Sequence, residues 1–348
     1  MSKDYSLPTV GGMFGASDHD RFLVDSAEAS FDDFFPITIR QTTRHLYETG
    51  VDALAAILKD CHRTPEPLTL WTADNFCRES LDRLSLKLNG RIHFRFYQRV
   101  EELVEIPPTD VLLYLHFNRY NSASFDFIRH LKQTTGVTVI EDFVQAPLDI
   151  SRFCGDYALN SLRKFSSLDI AVAYHRSTIA IPPLTTNYRL LRKAAERARS
   201  EFLQNPSEER EQLFLQLGRD SDEALAVPEI APAHPDEIAR GSSFDFHSVL
   251  QHRKANHQFL AQRFQNEFPE IEILPGEYMY LMITTTDRDR YRRHLFTKRI
   301  FPVIHWADSQ SEVSKSILSF HIDQRYSENE LERVIDEVKE IRSTLAAP

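Results

Sequence analysis

The chain has 348 residues, enough for one large domain and a smaller one. A hydrophobic content of 42% with 26% charged residues is that of a water-soluble globular protein, and a net charge of −10 argues against nucleic acid or an anionic membrane as partner. Three widely spaced cysteines, Cys61, Cys77 and Cys154, indicate neither a disulfide framework nor a metal site. No run approaches the eighteen or so apolar residues of a membrane span, and the first residues lack a signal-peptide core, so a cytoplasmic location is expected. Ten glycines in 348 residues is well below the average of roughly 7%, a poor match to folds built on glycine-rich phosphate loops.

Taken in chain order, "ETGVDALAAIL" (48–58) reads as a loop followed by a helix with Val51, Leu54, Ala55 and Leu58 on one face. "LTLWTA" (68–73) predicts a strand, "CRESLDRLSLKL" (77–88) an amphipathic helix, and "RIHFRFYQ" (91–98) a half-buried strand of period two. A buried strand follows at 110–117, then a helix stopped by Gly136, then the strand "VTVIED" (137–142). "YALNSL" and "LDIAVAYH" complete the sheet pattern, and "IAIPPL" (179–184) closes the region. Such alternation predicts a mainly parallel sheet covered on both faces, an α/β three-layer architecture. Residues 187–225 read as charged helices and 227–242, with three prolines, as a linker or turn. Beyond them come a helix (247–267), a strand (277–284), a helix (288–299), a strand (317–323) and a last helix opening at Ser327, with Glu330 at capping-box spacing. The expected division is a large domain over 1–185, a helical connection over 186–243 and a small α+β domain over 244–348.

Two charged features sit where apolar chain is expected. Asp142 ends a buried strand, and in open α/β sheets ligands bind at the carboxyl ends of strands. Asp142 is either a turn cap or a carboxylate facing a protonated ring nitrogen of a pyridoxal-type cofactor. Lys164, in "NSLRKF" (160–165), is either an exposed lysine beside an exposed Arg163 or a buried amine with a lowered pKa, able to form a Schiff base. His247, His252 and His257 recur at a five-residue spacing that does not share a helix face, so no metal site is indicated.

These segments together resemble the DegT/DnrJ/EryC1/StrS family of pyridoxal-phosphate (PLP)-dependent sugar aminotransferases, of the aspartate-aminotransferase fold. "VIEDFVQA" is similar to the family's aspartate strand and "SLRKF" to its Schiff-base motif; "VGGMFG" (10–15) resembles the entry segment and "ETGVDALAAIL" the phosphate-side helix start. "RIFPVIHW" and "ILSFHIDQRYSENELERV" resemble late family segments, so the likeness runs from about residue 10 to 340. It implies that Lys164 carries the Schiff base and the mobile proton, that Asp142 pairs with the pyridinium nitrogen, and that Gln145 lies near the ring. It also implies a phosphate held by Thr49, Gly50, Val51 and Ser161, and an aromatic over the ring from 71–77, Phe76 rather than Trp71 or Asn75. The implied partners are an amino-acid donor, a keto acceptor such as a nucleotide-linked keto-sugar, and a second copy of the chain. Where the family has a Gly-Gly pair after the lysine, this chain has "SSLDIAVAYH", and Glu48 stands beside the phosphate segment. A protein of this fold that binds cofactor or a partner without transamination is the alternative. His305-Trp306 is a core corner or a substrate-side wall, and Asp323-Gln324-Arg325 a salt-bridge corner or a substrate contact.

Overall fold

The computed structural model describes residues 5, 7–18, 22–23, 31–62, 64, 66–117, 124–177, 186–276, 279–305 and 315–346. In chain order its strands are β1 (Val10–Gly11), β2 (Thr38–Ile39), β3 (Thr42–Tyr47), β4 (Leu68–Ala73), β5 (Ile92–Tyr97), β6 (Val111–Phe117), β7 (Thr138–Gln145), β8 (Tyr157–Ser161) and β9 (Ala171–His175), followed by β10 (Ile273–Leu274), β11 (Tyr280–Thr284), β12 (Ile300–Phe301) and β13 (Ile317–His321). Eight of them form one sheet in the order β2-β3-β9-β8-β7-β6-β4-β5. The five strands from β5 to β8 run parallel, while β9 and β3 form antiparallel ladders at the other end. The parallel strands read as near-continuous apolar runs because helices cover both faces. β6, "VLLYLHF", has six of its seven residues buried.

One face is covered by α2 (Gly50–Cys61), whose Ala53–Leu58 are all buried against Leu70, Leu113 and Ile140. The opposite face packs α4 (Ser124–Thr135), with Ile128 and Leu131 against Leu112, Tyr114 and Val139. Thr49 caps α2, accepting the Asp52 N–H at 3.2 Å, and Gly136, at φ +70°, follows the end of α4. The element reading from sequence is sound for β4 to β9, α2 and α4, with two omissions in the sheet, the short β2 and β3. β3, "TTRHLY", carries polar residues on both sides and has too little period-two pattern to be read as a strand, yet it pairs along its length with β9.

Two long helices, α5 (Asn187–Gln204) and α6 (Glu208–Glu223), follow. The stretch 227–242 is not simply a linker. Ala231 and Ala233 hydrogen-bond Glu48 and Leu46 at the end of β3, and Pro235–Ser242 is a helix, α7. Proline at its first position lacks an N–H the helix could not have used, and His234 Nδ1 accepts the Asp236 N–H, so the prolines start a helix rather than break one. After α8 (Phe246–Glu267), β10, β11 and β13 form an antiparallel sheet with its own core of Leu260, Phe264, Leu281, Leu318, Phe320 and Val334. The last helix (Glu328–Ala346) opens as its capping-box spacing predicts: Glu330 Oε2 accepts the Ser327 N–H at 2.8 Å. "IAIPPL" and Trp306 lie outside the described residues.

The amino-terminal segment is stitched to this second sheet. β1 pairs parallel with β12, and the Gly11 N–H donates to Tyr326 Oη at 2.7 Å. Gly11 has φ +96°, and a Cβ there would lie 2.5 Å from the Phe301 carbonyl oxygen. Gly11→Ala therefore combines left-handed strain with a backbone clash and should cost about 2 kcal/mol or more in urea unfolding. Gly90→Ala, at φ +70° with open space around it, should cost about 1 kcal/mol. Equal costs would show that the entry segment is not held as described.

Candidate active site

The carboxyl ends of the parallel strands open into a cavity of about 970 Å³, closed on its far side by residues of the second sheet. Into it come Asp142 and Gln145 from β7, Ser161 and Lys164 from the end of β8, Thr49–Val51 from the start of α2, and Phe76 with Asn75 from the loop after β4. All eight residues singled out from the sequence thus line one cavity. Of the three candidates for the covering position, Phe76 and Asn75 face it. Trp71 does not: it packs with Tyr97 and Leu103, and its Nε1 donates to Asp110 Oδ2 at 2.8 Å. Period-two alternation along β4 turns residue 71 to the opposite face.

The two acids of "VIED" part company for the same reason. Glu141 is fully buried on the α4 side, where Oε2 meets His116 Nε2 at 2.7 Å and Oε1 accepts the Cys154 N–H at 2.6 Å and the Gly155 N–H. His116 in turn stacks on Phe143 at 4.2 Å. Glu141 is a satisfied structural anion. Asp142 faces the cavity instead, and its Oδ1 accepts the Val144 N–H at 2.8 Å. Burial pushes its pKa up to about 6, against the lowering pull of that hydrogen bond and of His116. An acid this disfavoured as an anion, facing a cavity and without an ion-pair partner among the described residues, marks a candidate ligand site.

Lys164 ends the short 3₁₀ turn Leu162–Lys164. The surface it keeps faces the cavity, and among the described residues Nζ makes no hydrogen bond or ion pair. Its pKa is lowered, first by burial and then by the adjacent Arg163 guanidinium. The Lys164 side chain stays exposed, as the first of the two readings open from sequence has it, but that exposed surface opens onto the cavity, and its pKa is lowered as the second has it. The turn that follows, lacking the Gly-Gly pair, is built otherwise. Ser166 Oγ donates to the Leu162 carbonyl and accepts the Leu168 N–H, and no residue from 162 to 170 has a positive φ. A turn of this shape does not call for glycine.

At the other end of the cavity, a Cβ built on Gly50 would lie 3.5 Å from Ser161 Cβ, so the first turn of α2 and the Ser161 hydroxyl converge. The free N–H groups and positive dipole end of a helix favour an anion there. Thr49 Oγ1 is already committed, donating to Asp52 Oδ2 at 2.6 Å, which leaves backbone N–H groups and Ser161 as the available donors. Glu48 is less of an obstacle than its charge implies. Thr186 Oγ1 donates to its carboxylate at 2.7 Å, and burial pushes its pKa up to about 7.

The far wall was only partly legible in the sequence. Arg253 is buried over the Phe165 ring at 4.2 Å and, with Gln324 Nε2, donates to the Phe165 carbonyl. Asp323 and Arg325 form a two-point ion pair, with contacts of 2.7 and 2.8 Å, and Arg325 also donates to the Gly12 and Met13 carbonyls. The Asp323-Gln324-Arg325 stretch is therefore a structural corner that also lines the cavity. His305 packs edge-on to Phe117 and Tyr280 and lines the cavity. Burial, then the Lys164 charge, press its pKa down to about 3, so it is a neutral imidazole. No sequence signal distinguished Arg253, which lies in a helix rich in polar residues.

No family model matches the sequence, and no curated protein does. Solved structures do. The aminotransferase TlmJ from Streptoalloteichus hindustanus is similar over 98% of this chain and 94% of its own, with a TM-score of 0.61 at 13% identity. A DegT/DnrJ/EryC1/StrS aminotransferase from Brucella abortus is similar over 94% and 92%, with a TM-score of 0.57 at 12% identity. NtdA from Bacillus subtilis, solved with the cofactor PMP bound, is similar over 86% of this chain and 73% of its own, with a TM-score of 0.57 at 12% identity. The chain has the fold of these aminotransferases.

The Asp142 shift gives a pH test. Its folded pKa lies above the unfolded value of 3.8, so the folded state binds the proton more tightly and loses stability as pH rises through about 4 to 6. In cofactor-free protein, Asp142→Asn should be the more stable form at pH 8, by up to about 3 kcal/mol, with the advantage gone below pH 4. A variant less stable than the parent at pH 8 in urea melts would mean that the carboxylate is partnered.

Proposed function

We propose that this chain is a pyridoxal-phosphate-dependent aminotransferase that moves an amino group from an amino acid to a keto substrate, a nucleotide-linked keto-sugar in the reading favoured here. The observation that carries the proposal is Lys164, an amine with a lowered pKa and no hydrogen bond or ion pair among the described residues, open to the same cavity as Asp142, a buried acid whose one hydrogen bond among the described residues comes from the Val144 N–H. The residues present fit the cofactor. Gln145 Oε1 and Asn75 Oδ1 are buried in the cavity wall without hydrogen-bond partners, a costly arrangement unless a ligand supplies the donors. Gly50 and Ser161 offer an anion cradle, and Phe76 offers an apolar face.

When bound, the pyridoxal ring supplies the electron sink that the protein's own side chains lack. Lys164 would be the attachment point, and its lowered pKa, caused first by burial and then by Arg163, makes Nζ a readier proton donor and a better-matched base than a solvated lysine. Asp142 holds a proton-bearing ring nitrogen by charge and hydrogen bond. The backbone at Gly50 and Val51, with Ser161 Oγ, binds the phosphate. Phe76 and Asn75 limit how the ring lies. A cavity of about 970 Å³ exceeds what the cofactor fills and leaves room for a second, bulky ligand. The wall facing Lys164 at Phe117, Tyr280 and His305 is aromatic and uncharged, which suits a sugar ring, while Arg253 and Arg325 in the same cavity lining add positive charge that suits an anionic group such as a phosphate. The division into a large domain, a helical connection and a small domain, and assembly as a homodimer, belong to the same proposal.

Purified protein supplied with the cofactor should gain a visible absorbance band that shifts on adding glutamate. Borohydride should lock the cofactor onto Lys164, as read by peptide mass spectrometry, and Lys164→Ala should abolish the adduct. Protein that cannot be reconstituted, or an adduct on another lysine, overturns the assignment. A stable adduct whose band glutamate leaves unmoved would favour cofactor binding without transamination.

A further inference from the structure

Where the family-like sequence lacks its glycine pair, the chain carries Asp169, and the surroundings of this residue are unusual. Asp169 is 1% exposed and sits two residues before β9. Tyr188 Oη donates to its Oδ1 at 2.9 Å. Around the same carboxylate lie Arg163 Nε at 3.8 Å, Arg192 Nε at 3.9 Å and Lys193 Nζ at 3.5 Å. Arg163 and Arg192 also line the cavity that holds Lys164.

We propose that Asp169 is a positioning residue that sets the protonation of Lys164 by holding and partly neutralising two guanidinium groups that line the same cavity, that of its chain neighbour Arg163 and that of Arg192. This rests on Lys164 being the reactive amine. Arg163 is the immediate chain neighbour of Lys164, and its guanidinium is pinned over the Tyr188 ring at 5.2 Å with Asp169 on one side and Asp222, at 3.7 Å, on the other. Among the described residues, the charges around Asp169 come from four elements, with Glu48 before α2 adding a further carboxylate and Arg189 of α5 reaching Glu237 at 3.9 Å. Arg163 comes from the turn before it, and Arg192, Lys193 and Glu196 come from α5. Asp222 reaches Arg163 from α6, and Glu237 with Arg240 comes from α7, where Glu237 Oε2 accepts the Asp169 N–H at 3.2 Å.

The sign follows from this arrangement. Positive charge near Lys164 disfavours its ammonium form, and Arg163 and Arg192 both lower its pKa, while Asp222 raises it. Asp169 is itself held below its usual carboxylate range by Arg192, Lys193 and Arg163, despite burial, so it stays ionised. Neutralising Asp169 leaves the two guanidinium groups uncompensated, and Lys164 becomes easier to deprotonate. Neutralising Arg163 does the reverse. A purely architectural Asp169 would alter folding stability without moving Lys164 in opposite directions in the two variants.

The test is competitive acetylation of the full-length, cofactor-free chain with trace acetic anhydride across pH, reading the Lys164 peptide by mass spectrometry against a surface lysine. Asp169→Asn should move the Lys164 midpoint down by about half a unit or more, Asp169→Glu should restore it, and Arg163→Gln should move it up. A folded Asp169→Asn protein whose midpoint is unmoved or raised overturns the proposal. Should Asp169→Asn fail to fold, Asp169→Ser takes its place: a lowered midpoint supports the proposal, and an unmoved or raised one overturns it. Because the readout needs no cofactor, failure here is separable from failure of the borohydride adduct to form on Lys164.

Discussion

The rest of the site is arranged around one constraint, the cost of removing charge from water at the carboxyl ends of β7 and β8. Neither Asp142 nor Lys164 is neutralised by a protein partner among the described residues, and each is shifted toward its uncharged form, the acid upward and the amine downward. Structural ion pairs in this chain look different. Glu141 has three contacts within hydrogen-bonding reach, and Asp323 has a two-point arginine. A fold that pairs those charges while leaving these two without an ion-pair partner among the described residues makes the pair a candidate site.

That cost is borne by a wall assembled from distant parts of the sequence. The Phe165 carbonyl, directly after Lys164, receives Arg253 and Gln324, so the turn is fixed from α8 and from the segment after β13. Arg325 ties that same segment to Gly12 and Met13, and the Arg199 guanidinium donates to the Gly11 carbonyl from α5. Lys164 is thus braced by chain some 90 to 160 residues downstream. Its geometry depends on the second sheet as much as on the strand that delivers it.

The sequence was most legible where periodicity and burial agree. The five parallel strands, α2 with its Thr49 cap, and the last helix follow from apolar runs and capping spacing. Asp142, Lys164, Gly50 and Ser161 could be named because strand ends and a helix start carry local signals, and a family resemblance tied them together. Other features escaped. β3 is polar on both sides because it lies in the antiparallel part of the sheet, and α7 begins on a proline that reads as a break. Arg253 becomes important only through a carbonyl 88 residues away. Long-range polar contacts of that kind have no period and leave no local trace.

The low glycine count has a physical counterpart in how the site is built. A glycine turn after a reactive lysine supplies backbone freedom, and something else must then hold the lysine in register. Here Ser166 Oγ closes the turn with two short-range hydrogen bonds, and Asp169 locks its far end to Tyr188 and to the cations of α5. Side chains replace conformational freedom with charge. The same substitution places a buried carboxylate within reach of two guanidinium groups that line the same cavity as Lys164, so the element that fixes the position of the amine also enters its electrostatics. On the role proposed for Asp169, the shape of the turn and the basicity of the lysine are not independent variables, and a change at Asp169 alters both.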